Sequence, residues 1–226
     1  MSAKQSLLLG DEAIAIGAVH AGLTAAYAYP GTPSTEIMES LIDYAHDHSQ
    51  KPVAQWCANE KTAFEAALGV SIVGKRALVS MKHVGLNVAA DPFMSSAMVS
   101  INGGLVLAIA DDPSMHSSQN EQDSRFYADF AGIICLEPST HQEAYDMTRQ
   151  AFDLSEKYEL PVMIRIVTRL AHARGVVKFA DMRAENNLRK TKDVNEWILI
   201  PQNARRQYHK RVLQRPLIKK ESEDSP

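Results

Sequence analysis

Apolar runs of strand length alternate with segments of helical period through most of the chain. Periodicity predicts helices over residues 12–22, 33–46, 60–73, 86–100 with a break near Pro92, 125–131 and 140–157, and strands over 24–29, 52–57, 76–81, 104–110, 133–137 and 161–167. The order is βαβα throughout. Leu105-Val106-Leu107-Ala108-Ile109-Ala110 is apolar at every position, the pattern of a strand covered on both faces. The expected fold class is therefore α/β, a mostly parallel sheet with helices on both faces. Two helix starts carry capping signals. Thr32 followed by Pro33 reads as an N-cap with proline at the first helical position, and Ser139 precedes Gln142 at capping-box spacing.

With 226 residues, 45% of them hydrophobic, the chain is long enough for one good-sized domain plus an appendage. Residues 1–176 read as the domain and 177–226 as a linker or tail. The net charge of −3 hides an asymmetry: residues 1–173 hold 11 basic and 20 acidic side chains, residues 174–226 hold 13 and 7. The basic tail has few clustered apolar residues and is expected to be extended, disordered or wrapped on a partner. It lacks interleaved aromatics or a reading motif, so nucleic-acid binding is not expected. Residues 13–35 carry no formal charge, but Gly17, His20, Gly22, Thr24 and the Pro30-Gly31 turn interrupt any membrane-spanning helix. The three leucines after Met1-Ser2-Ala3-Lys4-Gln5-Ser6 are too short a core for a secretory leader. Cys57 and Cys135 form no CxxC or Cys/His cluster, which argues against a disulfide framework, a zinc site or an iron–sulfur site here and fits a reducing cytoplasm.

Candidate chemistry concentrates in two stretches. Tyr29-Pro30-Gly31-Thr32-Pro33-Ser34-Thr35-Glu36 follows the first predicted strand, and Asn59-Glu60 opens an Ala-rich helix one βα unit later. A hydroxyl loop and a helix-leading carboxylate thus fall at the ends of two strands expected to be neighbours, where open α/β sheets bind ligands. Residues 82–85 and the polar run Asp111–Asp123 are expected to be binding loops. Gly69-Val70-Ser71-Ile72-Val73-Gly74-Lys75 has phosphate-loop spacing, but Arg76 stands where a hydroxyl is needed, and the glycines close a helix instead of opening one. No GxGxxG follows the first strand, so the phosphate grip of a dinucleotide site is missing.

Plainer roles compete at each position. Glu60 also suits the positive end of a helix dipole, Thr32 a simple N-cap, and His83 a polar loop. Glu65 lies more than a turn into its helix and is expected to be structural or solvent-facing. His116, Asn120 and Arg125 remain pocket or interface candidates, and Met94, Met98 and Met147 read as core fillers.

The Tyr29–Thr35 loop, Asn59-Glu60, Lys82-His83-Val84-Gly85-Leu86-Asn87 and Ala89-Ala90-Asp91-Pro92 together resemble the pyrimidine-binding domain of thiamine-diphosphate-dependent 2-oxoacid:ferredoxin oxidoreductases. Within that family the resemblance is to the N-terminal domain of indolepyruvate:ferredoxin oxidoreductase alpha subunits. It spans about residues 6–176, with a weaker echo in Leu199–Arg206. It implies that Glu60 shares a proton with the aminopyrimidine ring, favouring the imino tautomer whose exocyclic nitrogen removes the thiazolium C2 proton. The same resemblance puts Gly31, His83, Val84 and Gly85 against the cofactor, and Thr32 and His83 against the substrate. Where pyruvate-specific relatives place a substrate-binding arginine, this chain has Asp111, which disfavours pyruvate and leaves recognition of the carboxylate to other groups; the resemblance to the indolepyruvate enzymes implies an aryl-pyruvate.

The diphosphate-binding Gly-Asp-Gly-type loop of that family, which holds Mg2+, is missing here, as are cysteine-rich ferredoxin modules. The resemblance therefore implies half a site: a diphosphate-binding domain or subunit as partner, a dimer of such pairs, and a ferredoxin-type carrier, iron–sulfur clusters and CoA only in the complete complex. A natural split subunit and a truncated chain both fit. Two other readings stay open: a split 2-oxoacid decarboxylase subunit that releases an aldehyde, and a non-catalytic scaffold of the same fold.

Overall fold

The most apolar runs pair at the centre of the molecule. In the computed structural model, which describes residues 4–190 and 193–223, β4 (Ala77–Lys82) runs parallel to β5 (Leu105–Asp111), with Ala77 opposite Leu105 and Lys82 opposite Ala110. Every residue of both strands is buried. β2 (Ala25–Ala28) and β3 (Val53–Trp56) extend the sheet on one side, β7 (Val162–Val167) and β6 (Ile134–Leu136) on the other. All neighbours are parallel, in the order β3-β2-β4-β5-β7-β6. These six strands match the sequence periodicity to within one residue at each end. The flanking helices α1 (Gly10–His20), α2 (Thr35–Asp47), α3 (Glu60–Ile72), α6 (Arg125–Ala131) and α7 (His141–Tyr158) match to within two.

Several expectations need correction. α2 starts after Ser34, and Thr32 precedes a cis bond to Pro33, so Thr32 is not the N-cap. The cap of α7 is Thr140, which accepts from Glu143 N–H, one residue beyond the expected Ser139. The predicted 86–100 helix is two short ones, α4 (His83–Val88) and α5 (Ala90–Ser96), and Pro92 sits in the first turn of α5, where its missing N–H has no intrahelical partner to lose. Residues 82–85 are consequently not a loop, because α4 begins as β4 ends.

Four elements lay outside the periodic pattern. β1 (Gln5–Leu9) pairs antiparallel with β8 (Arg174–Lys178) in a separate two-stranded sheet, which places residue 176 inside a strand, and α8 (Thr168–Ala171) is a single turn. Part of the tail is helical: residues 179–190 carry no helix or strand, whereas α9 (Pro201–Glu223) is a 23-residue helix that follows a short 3-10 turn at Val194–Glu196. It docks mainly through polar contacts. Arg211 donates to the carbonyls of Val99 (3.0 Å) and Glu159 (3.3 Å), Lys210 reaches the Glu159 carboxylate (2.6 Å), and Trp197 Nε1 donates to Ser100 O (2.8 Å). Met94, Met98 and Met147 are half-buried beneath this helix and do not fill the central core. Met1–Ala3 of the leader-like start and Asp224–Pro226 of the tail lie outside the described residues. Among those residues no helix is long and apolar enough to cross a membrane.

At the amino end of the sheet, Arg76 closes the discarded phosphate-loop match by donating to Glu156 at 2.8 and 2.9 Å. Burial works against ionisation of Glu156, but the Arg76 guanidinium, Asn186 and the Gly104 N–H outweigh it and hold its carboxyl below the usual value. Glu156→Ala leaves the buried guanidinium with only Asp153, at 3.6 Å, as a counter-charge and is expected to lower stability by about 2–3 kcal/mol in urea denaturation near neutral pH. Because the folded value lies below the unfolded one of about 4.3, the pair contributes fully above that pH and fades as pH falls through the folded value. The gap between wild type and variant should therefore narrow in acid.

Candidate active site

The sheet order creates a reversal. From β2 the chain moves outward to β3, then returns past β2 to β4, so the segments leaving the carboxyl ends of β2 and β4 diverge and open a crevice. The 29–34 loop, Asn59-Glu60 and Lys82-His83 all fall at the carboxyl ends of these three adjacent strands, as the sequence reading expects.

Glu60 is fixed by its own cap. Asn59 accepts from Thr62 N–H (2.9 Å) while Thr62 Oγ1 accepts from Asn59 N–H (3.3 Å), which sets Glu60 as the first residue of α3. Phe64 and Phe93, both fully buried and edge-to-face with centroids 6.2 Å apart, seat α3 on α5. Glu60 is only 8% exposed, and no hydrogen bond to its carboxylate forms among the described residues. Instead the carboxylate lies against Gly85: a Cβ there would come within 2.5 Å of Oε1 and 2.7 Å of Cγ. Two of the predicted cofactor residues thus meet directly, and only glycine permits it.

Gly31 makes the second close approach. A Cβ at Gly31 would come within 2.9 Å of Lys82 Cδ, so the Lys82 stem lies across the loop. The loop is fastened to α2 because Thr35 Oγ1 accepts from Gly31 N–H (3.0 Å) and Ser34 Oγ donates to Gly31 O (2.8 Å). Thr32 is exposed, and its carbonyl accepts from Ser117 Oγ at 3.2 Å. Lys82, buried, donates to Ser117 O (3.1 Å), and His83, also buried, donates from Nε2 to Asn120 O (3.0 Å). Its Nδ1 is buried with no partner among the described residues. Val84, half-buried, follows in the first turn of α4.

The Asp111–Asp123 run therefore roofs the crevice, fastened at both ends. Asp111, with no exposed surface, accepts from Arg165 Nε (2.7 Å) and from the hydroxyl (2.5 Å) and N–H (3.1 Å) of Ser124. It is an internal anchor and not a recognition group. Asp112 accepts from Ser117 N–H (2.8 Å), Ser118 Oγ (2.7 Å) and Thr168 Oγ1 (2.8 Å). Burial opposes its charge, yet these donors prevail and hold its carboxyl well below the ordinary range. Of the remaining candidates, Asn120 joins the site through its carbonyl, His116 and Glu65 are exposed, and Arg125 is taken up by Asp123 and Glu137. The sequence reading passed over Lys82 as an individual residue. Its signal was a lone charge ending an otherwise uncharged strand.

A family model described as "Pyruvate flavodoxin/ferredoxin oxidoreductase, thiamine diP-bdg" matches residues 16–216. The chain belongs to this family. Curated relatives include the Indolepyruvate oxidoreductase subunit IorA of Archaeoglobus fulgidus, 56% identical over 173 residues covering 76% of this chain and 28% of the relative. That of Thermococcus kodakarensis is 45% identical over 215 residues, covering 92% and 33%. The chain thus spans about a third or less of the length of these relatives. Among solved structures, a 2-oxoglutarate:ferredoxin oxidoreductase from Magnetococcus marinus, with 2-oxoglutarate, coenzyme A and succinyl-CoA bound, superposes with a TM-score of 0.75 at 16% identity. The match covers 96% of this chain and 45% of that one, and it supports the fold.

Gly85→Ala drives a methyl group into the Glu60 carboxylate and is expected to destabilise the protein by about 1–3 kcal/mol. In a Glu60→Ala background the same change should cost less. A double-mutant cycle by chemical denaturation, with a coupling of about 0.5 kcal/mol or more, checks the contact.

Proposed function

We propose that this chain is the pyrimidine-binding half of a thiamine-diphosphate-dependent 2-oxoacid:ferredoxin oxidoreductase of the indolepyruvate type, acting on an aryl-pyruvate in oxidative decarboxylation to an acyl-CoA. One observation carries the reading: the Glu60 side chain, only 8% exposed and with no hydrogen bond to its carboxylate among the described residues, is held against a glycine at the switch point of the sheet. A carboxyl so placed is matched by a ring nitrogen that takes or shares its proton.

When bound, thiamine diphosphate supplies the attacking carbon and accepts the electron pair released with carbon dioxide. The chain's own residues place and polarise. Glu60 holds a proton at the aminopyrimidine nitrogen, the α4 backbone at His83–Gly85 flanks the ring, and the roof over Thr32, Lys82 and His83 limits water. Lys82 and Thr32 are the groups we assign to the substrate carboxylate, since Asp111 is engaged by Arg165. Mg2+ and the diphosphate belong to a partner domain or subunit. Phe126 and Phe130, 74% and 80% exposed on α6 beside the Tyr127–Asn87 hydrogen bond, support a covered face there. Iron–sulfur clusters, CoA, a ferredoxin-type acceptor and pairing into a dimer belong to the complete cytoplasmic complex.

The test is reconstitution with the diphosphate-binding partner and indolepyruvate, following acceptor reduction and carbon dioxide. Glu60→Gln should lower turnover by about 10²–10⁴-fold while the complex still assembles. Undiminished turnover would mark the chain as a scaffold, and an aldehyde as the sole product would mark a decarboxylase.

A further inference from the structure

Away from the crevice residues used above, three side chains from three elements converge. Asp11 at the start of α1, Glu36 at the start of α2 and His172 just past α8 each offer a ligand atom within 4.8 Å of the other two. Asp11 has no exposed surface, and neither of its carboxylate oxygens has a hydrogen-bond partner among the described residues. Glu36 Oε2 is buried without a hydrogen bond as well, its nearest cationic neighbour being His172 Nε2 at 3.4 Å. A buried carboxylate facing a second carboxylate is costly unless a proton neutralises it or a cation lies between them, and burial together with Glu36 raises the affinity of Asp11 for a proton.

The backbone holds Asp11 in this position. A Cβ at Gly10 would run into the Leu170 carbonyl, so α1 can begin against α8 only through glycine. The adjacent Glu12 is engaged elsewhere, its Oε2 accepting from Leu9 N–H at 2.7 Å. That leaves Asp11 as the carboxylate turned to the cluster. On the other side, the Glu36 and His172 side chains are 33% and 36% exposed, which gives an ion and a water access from solvent.

We infer that Asp11, Glu36 and His172 form a binding site for one divalent transition-metal cation that joins the starts of α1 and α2 to the end of α8. Two carboxylate oxygens and one imidazole nitrogen are the donor set of Zn2+ or Mn2+, with a water completing the shell, and are too few and too mixed for Ca2+. Drawing the donors in to about 3.4 Å from one another, as zinc bonds of about 2.1 Å require, needs only side-chain adjustment. The ion is separate from the Mg2+ of the diphosphate and independent of what binds at Glu60. Its consequence for the site is mechanical: Glu36 adjoins Thr35, whose hydroxyl holds Gly31, so the ion braces the base of the 29–34 loop.

The experiment uses the full chain, stripped with a chelator and titrated calorimetrically with Zn2+ and Mn2+, with Mg2+ as comparison. One equivalent of Zn2+ or Mn2+ should bind and raise the melting temperature. Asp11→Asn and His172→Ala should each weaken that binding at least about a hundredfold with an unchanged circular dichroism spectrum, while the exposed Glu65→Gln leaves it intact. Should Asp11→Asn fail to fold, His172→Ala at its exposed position decides alone. Failure of the folded wild type to bind either ion overturns the inference, as does retained affinity in Asp11→Asn, which would leave Asp11 a protonated acid beside Glu36.

Discussion

The parallel pairing of β2 with β4, although β3 intervenes in the chain, is the constraint on which the site rests. It forces two βα segments to part at the same end of the sheet, and Gly31, Thr32, Glu60, Lys82, His83 and Gly85 each follow or end one of the three strands involved. The pairing is possible because β4 and β5 are apolar on both faces and form an interior too dry to accept exposed backbone, which fixes their register. With that frame fixed, Asn59 sets where α3 begins, and the start of α3 sets where Glu60 points.

Much of this was legible in the residues because the central strands and long helices obey a single period over many positions. Glu60, Gly31, Gly85 and His83 lie in short motifs at strand ends, so periodicity placed the motifs, while the choice of these residues within them came from the family resemblance. What periodicity could not show falls into kinds. β1 and β8 each depend on a partner about 170 residues away. α9 has no apolar stripe to betray it; its attachment uses main-chain carbonyls at Val99 and Glu159, which carry no mark in the sequence. The caps slipped by one or two positions because Ser, Thr and Pro cluster at both helix starts and several offered the same chemistry.

Lys82 and Asp111 show a subtler limit. Both are charges at the carboxyl ends of buried strands, equally prominent in the sequence. One lies over Gly31 and touches the roof, while the other turns inward to Arg165 and Ser124. Which way such a side chain turns depends on partners contributed by β7 and by the run leading into α6, and no local pattern reports them.

The roof over the crevice is held at its ends by Asp111 at Ser124 and by Asp112 at Thr168, and along its middle by Ser117, Ser118 and Asn120, which meet Asp112, Thr32, Lys82 and His83. Several of the middle contacts use main-chain atoms, the carbonyls of Ser117 and Asn120 and the Ser117 N–H, so side chains along the span can be exchanged while its backbone path over the crevice is kept.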